Sequence, residues 1–97
     1  MYSKEEIKKL LRAVFPDLKQ KYAVSELRLF GSYLNGHPRE DSDVDLLVNF
    51  AQEIDLIRFV QLQRELTAYL QSPVDLVTPD ALKARIKDDI ITQAEPI

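Results

Sequence analysis

One stretch, residues 27–48, constrains this chain more than any other. Within it, an apolar run is interrupted by Gly31-Ser32, and ten residues later Asp43-Val44-Asp45 opens a second apolar run. Both glycines of the protein, Gly31 and Gly36, lie in this stretch. Because the chain uses glycine nowhere else, we expect it here where the backbone adopts a conformation that only glycine tolerates well.

The spacing of the acidic residues in this stretch predicts a metal site. Side chains of a strand alternate between faces, so Asp43 and Asp45 would share one face while Val44, Leu46 and Val48 point into a core. Adjacent carboxylates repel each other unless a cation lies between them, and hard cations such as Mg²⁺ prefer oxygen ligands. A Gly-Ser turn after a strand can present N–H groups and a hydroxyl to a phosphate. Together these features indicate a nucleoside triphosphate bound with Mg²⁺.

The rest of the chain predicts alternating helices and strands. Ser3-Lys4-Glu5-Glu6 has the pattern of a capping box, and Pro16 is expected to end or kink the helix that follows, with a connection reaching Ser25. A second helix would run from the N-cap Asp55 to about Leu70 and a third would follow Thr78-Pro79. The expected strands are Glu26–Phe30, Asp43–Asn49 and Val74–Thr78.

Two apolar stripes are predicted from helical spacing. The second helix would bury Leu56, Phe59, Val60, Leu66 and Leu70, and the last helix would align Leu82, Ile86 and Ile90. The fold class is therefore α/β, a small mixed β-sheet backed by helices. A helix joins the second and third strands, so these should be parallel with a right-handed crossover, which would bring Asp75 beside Asp43 and Asp45.

Gly31-Ser32, ten residues and Asp43-x-Asp45 resemble the signature of the DNA-polymerase-β-like nucleotidyltransferases. The short length and the flanking segments are most similar to the minimal nucleotidyltransferases (MNT proteins), and the similarity covers nearly the whole chain. Val74-Asp75-Leu76-Val77 matches the strand that carries the family's third carboxylate. The chain departs from many relatives in having Tyr33, Leu34 and Asn35, with no basic residue, after Ser32.

This resemblance implies an activity and a partner. Asp43, Asp45 and Asp75 would be the catalytic residues and would ligate two Mg²⁺ ions, while Gly31 and Ser32, together with Asp43 and Asp45, would bind the nucleotide. MNT antitoxins transfer AMP from ATP to a tyrosine of a HEPN-type toxin, and we expect the same here. The oligomeric state is left open between a homodimer and a hetero-oligomer with the toxin.

Composition limits the rival functions. Ninety-seven residues predict a single domain, residues 1–97, and thirteen basic against sixteen acidic residues leave a net charge of −3. That charge disfavours direct nucleic-acid binding and a metal-dependent nuclease. The absence of cysteine, of a signal peptide and of a membrane-length apolar run predicts a cytoplasmic protein. The alternative is a non-catalytic binding module that neutralises its partner by contact, with vestigial carboxylates.

Overall fold

The computed structural model describes residues 2–34, 43–82 and 84–97, apart from the side chains of residues 84–87. These residues form an α/β fold with one mixed sheet in the strand order β3-β2-β1-β4, and the predicted fold class is confirmed. The helices are α1 (Lys4–Tyr22), α2 (Leu56–Leu70) and α3 (Ala84–Gln93), with a short 3₁₀ helix at Pro79–Ala81. The strands are β1 (Val24–Phe30), β2 (Val44–Phe50), β3 (Val74–Val77) and β4 (Glu95–Pro96).

Helix α1 begins as predicted but does not end at Pro16. The Ser3 hydroxyl accepts from the Glu6 backbone N–H and the Glu6 carboxylate accepts from the Ser3 N–H, both at 3.1 Å. The helix then continues through Pro16 to Tyr22, so the connection predicted there was wrong. A proline inside a helix costs about 3 kcal/mol, but Leu18 and Tyr22 beyond it are buried, each contributing about 2 kcal/mol. Burial of the last turns therefore keeps the helix intact.

The core lies between one face of the sheet and helices α1 and α2. Alternation along β1 and β2 places their core residues as predicted, and the two strands pair antiparallel. On α2 the prediction was partly wrong, because Leu56 is 76% exposed and Val60 is 39% exposed. At about 100° per residue, Leu56 and Val60 lie well away from the stripe that includes Leu62. The fully buried residues of the sheet and of α2 are Val24, Leu27, Leu29, Val44, Leu46, Leu47, Val48, Leu62, Leu66 and Leu70.

Strands β2 and β3 are parallel, as predicted, and Thr78-Pro79 opens a helix, although this helix is only the 3₁₀ turn. Leu82 was predicted on the stripe of the last helix but lies before α3 begins. The side chain of Ile86 lies outside the described residues, and Ile90 is half-buried. The sequence therefore placed the last helix correctly but began it too early.

The C-terminal strand was not predicted. Glu95 pairs with Leu29 and Pro96 with Arg28, which makes β4 the outer neighbour of β1. The Glu95 carboxylate accepts from Lys8 at 2.7 Å and from Lys4 at 3.4 Å, so the end of the chain is tied to α1. Of the helices that the structure describes, none has both the length and the apolarity to cross a membrane.

Candidate active site

The end of β1 and the start of β2 lie side by side. In the antiparallel register Phe30 is opposite Asp45. The next residue, Gly31, therefore lies beside the Asp45 carboxylate. Gly31 has φ +78°, a left-handed conformation that favours glycine. A Cβ built on Gly31 would lie 2.9 Å from Cγ of Asp45. Glycine is therefore required at this position for two reasons: the positive φ of the backbone and the close approach of the Asp45 carboxylate.

Asp75 joins Asp45 through the parallel register. The two residues are paired positions of β2 and β3, so their side chains share one face of the sheet, opposite the core. Asp45 is half-buried, Asp75 is exposed, and Asp43 is exposed just before β2 begins. The predicted neighbourhood of the three carboxylates is thus present.

The electrostatics of this cluster are those of an uncompensated negative site. Burial, followed by the charges of Asp75 and Asp43, raises the pKa of the Asp45 carboxyl to about 6. Of the ion pairs in the part of the chain that the structure describes, none includes these three residues. A cation at this position would supply the missing positive charge.

The donor set fits Mg²⁺ in its chemistry, because it offers only carboxylate oxygens. In residues 2–34, 43–82 and 84–97, however, no three acidic, histidine or cysteine side chains converge as a metal site requires. The three carboxylates are therefore neighbours in the described structure, and their ligation of a metal remains a prediction.

The turn that follows β1 is anchored in the core. After Gly31, it is formed by residues Ser32–Leu34. Tyr33 is 3% exposed and Leu34 packs against the core, so both side chains fix the turn to the core. Ser32, half-buried, lies between Gly31 and Tyr33. Its burial shows that Tyr33 is a packing residue.

Gly36, His37, Arg39 and Lys83 lie outside the described residues, as does the side chain of Arg85, so the structure gives none of them a place at the site.

One residue near the site was missed. Among the four strands that the structure describes, Arg28 is the only basic residue. Alternation puts its side chain on the same face of the sheet as Asp45. Its Nε donates to Glu26 at 2.6 Å. The alternation of Arg28 and Phe30 with the buried Leu27 and Leu29 could have revealed this position from the sequence.

A comparison with known families decides the relationship. The model of the polymerase beta nucleotidyltransferase family matches residues 5–97. The chain belongs to this family. It is therefore a nucleotidyltransferase, and the resemblance carried by Gly31-Ser32 and Asp43-x-Asp45 is confirmed.

Individual members of the family match over most of their length. The protein adenylyltransferase MntA of Thermococcus cleftensis is 39% identical over 93 residues, which cover 96% of this chain and 94% of the relative. The solved structure of a minimal nucleotidyltransferase has a TM-score of 0.83 at 31% identity, covering 99% of this chain and 97% of that one. A structure of a tri-AMPylated Shewanella oneidensis HEPN toxin in complex with MNT antitoxin matches at 29% identity with a TM-score of 0.59, covering 96% and 66%.

Proposed function

We propose that this nucleotidyltransferase transfers AMP from ATP to a tyrosine hydroxyl of a HEPN-type toxin and so acts as its antitoxin. The observation that carries the proposal is the direct approach of Gly31 to Asp45. It brings a turn that can bind phosphate against the half-buried carboxylate of an acidic cluster. A triphosphate and its metal require these two features side by side.

Different residues would bind the phosphates and the metal ions. The N–H groups at Gly31 and Ser32 and the Ser32 hydroxyl would bind the β- and γ-phosphates. Asp43 and Asp45 would hold two Mg²⁺ ions, with Asp75 on one of them. When bound, such ions neutralise the charge of the triphosphate and lower the pKa of the attacking hydroxyl.

The reaction is an in-line displacement at the α-phosphorus. The acceptor oxygen forms a bond to the α-phosphorus, and the bond from that phosphorus to the oxygen bridging to the β-phosphate breaks. Pyrophosphate leaves with the bonding electron pair, and the hydroxyl proton passes to a carboxylate, for which Asp75 is our candidate. Positioning and charge compensation carry such a reaction more than covalent catalysis does.

The relatives support the acceptor. One is named a protein adenylyltransferase, and another is an MNT antitoxin in complex with an AMPylated HEPN toxin. The net charge of −3 favours a protein acceptor over a nucleic acid, whose phosphates bind basic surfaces. ATP is the natural donor of AMP for this transfer.

The proposal is tested with a purified HEPN protein of the same host. We expect that incubation with radiolabelled ATP and Mg²⁺ labels this protein, and that Asp45→Asn abolishes the label. Asp17→Asn, an exposed acidic residue on α1, is the matched control and should leave labelling unchanged. If Asp45→Asn still neutralises the toxin although no label is ever transferred, the contact-only module is correct instead.

A further inference from the structure

A large cleft of the described residues lies away from the carboxylates. It has a volume of about 770 Å³ and is formed where β2 and β3 end, between the start of α2 and the 3₁₀ turn. Asp45 and Asp75 lie near the opposite, amino-terminal ends of these parallel strands. Asn49, in the cleft, is four residues from Asp45, a separation of about 13 Å along the strand. The cleft therefore lies at the opposite ends of these strands from the carboxylates of the proposed transfer site.

The lining of the cleft combines an aromatic floor with an acidic rim. Phe50 and Phe59 meet edge to face with ring centroids 6.2 Å apart, and both are half-buried. Glu53 and Asp80 line the same cleft and are exposed. Neither carboxylate takes part in an ion pair of the described residues. The cleft thus offers an apolar surface bordered by two negative charges.

The apolar surface continues out of the cleft along α2. Leu56 is 76% exposed, Ile57 is 71% exposed and Val60 is 39% exposed. Leu56 precedes Phe59 by three residues and Val60 by four, so it lies next to both on the helix surface. Large side chains exposed together beside a cleft mark an interaction surface. We call the cleft and these three residues the α2 surface.

We propose that the α2 surface is the docking site of the acceptor protein, separate from the site of AMP transfer. It fits a partner segment with an apolar side chain for the aromatic floor and a lysine or arginine for Glu53 and Asp80. The inference rests on the proposed function, since the occupant is the HEPN toxin. This surface lies about 13 Å from the carboxylates, so an acceptor bound here would keep its hydroxyl outside the contact. That hydroxyl could then be positioned at Asp45.

Charge and position favour this occupant over a second copy of the chain. The acidic rim requires basic residues opposite it, and the one basic residue of the exposed apolar part of α2, Arg58, already donates to the Lys21 carbonyl of its own chain. Two copies placed face to face here would bring Glu53 and Asp80 of one towards the same charges of the other. A basic partner avoids that repulsion.

The test separates docking from chemistry. Leu56→Gln and Asp80→Asn are made in the full chain together with Asp17→Asn, an acidic control on α1. Binding of the purified HEPN protein of the host is measured by calorimetry without ATP, and AMP transfer is measured over a range of HEPN concentrations. We expect each of these two variants of the α2 surface to weaken HEPN binding and raise the KM for the HEPN protein at least tenfold, while kcat and Mg²⁺-ATP affinity stay unchanged. Both changed residues are exposed, so the fold should be kept.

Each other outcome has a defined meaning. Wild-type affinity in both variants, or a wild-type chain that does not bind the HEPN protein, overturns the docking site. A change in oligomeric state without a change in HEPN affinity assigns the surface to a second copy and overturns it as well. If the variants weaken binding but even the wild-type chain transfers no AMP, the docking site stands and the proposed function fails.

Discussion

Gly31 and Asp45 are in direct contact, and the missing side chain of the glycine is what makes room for the carboxylate. We expect Gly31→Ala to destabilise the protein by roughly 1–3 kcal/mol, because it combines a positive φ with a displaced Asp45. Activity should fall further than stability explains, since the carboxylate moves. Urea unfolding and AMP-transfer assays on the folded variant measure both effects. A variant with wild-type activity would show that the contact is not needed for catalysis.

The stability of the metal-free protein should depend on the charge of Asp45. Its folded-state pKa, about 6, lies above the ordinary value of 3.8, so the folded state binds the proton more tightly than the unfolded state. The free energy of unfolding should therefore decrease as pH rises from about 4 to 6. Allowing for solvent screening, the loss is about 1–2 kcal/mol.

Asp45→Asn isolates this effect from the other carboxylates. Chemical unfolding in EDTA at several pH values should show a difference between wild type and variant that grows up to pH 6 and is constant above it. The variant should be the more stable protein at pH 7. A difference that does not change with pH would show that Asp45 is not electrostatically stressed.

Mg²⁺ should remove the destabilisation that the charge of Asp45 causes. A ligand that binds only the folded state raises stability by mass action, so Mg²⁺ with ATP should raise the Tm of the wild-type protein. The variants Asp43→Asn, Asp45→Asn and Asp75→Asn should show a smaller rise, and ATP in EDTA should have little effect. If all three variants respond like wild type, the cation binds elsewhere.

Ser32→Ala should reduce activity less than the aspartate variants do. The hydroxyl is one of several phosphate donors, and losing one net hydrogen bond of about 1 kcal/mol slows transfer roughly fivefold. Removing a metal-binding carboxylate should cost far more. Initial rates at saturating ATP for Ser32→Ala and Asp45→Asn give the comparison. Equal losses would assign Ser32 a larger role than phosphate binding.

Much of the site follows from local sequence rules. Leu46 faces the core, so alternation places the side chain of Asp45 on the other face of the sheet. The helix between β2 and β3 predicts the parallel pairing that brings Asp75 beside Asp45. The same rules do not give the contact between Gly31 and Asp45, which depends on the register of β1 against β2. Ligation by the three aspartates remains a prediction.

The errors come from interactions between distant parts of the chain. Helix α1 continues past Pro16 because Leu18 and Tyr22 are buried against elements formed later in the sequence. Strand β4 is two residues long and contains Pro96, so it has no local strand signal and exists through its pairing with β1. Helical spacing predicted Leu56 as a core residue, yet it faces solvent. Local pattern alone does not distinguish a core stripe from an exposed apolar face.

The central claim is that this chain transfers AMP, and the position of a radioactive phosphorus tests it most directly. The chain, Mg²⁺ and the purified HEPN protein are incubated with ATP labelled at the α-phosphorus or, in a parallel reaction, at the γ-phosphorus. We predict that the α-label becomes bound to the HEPN protein, that the γ-label leaves in pyrophosphate, and that Asp45→Asn abolishes both results. Transfer of the γ-label, or toxin neutralised with neither label bound, would contradict the account.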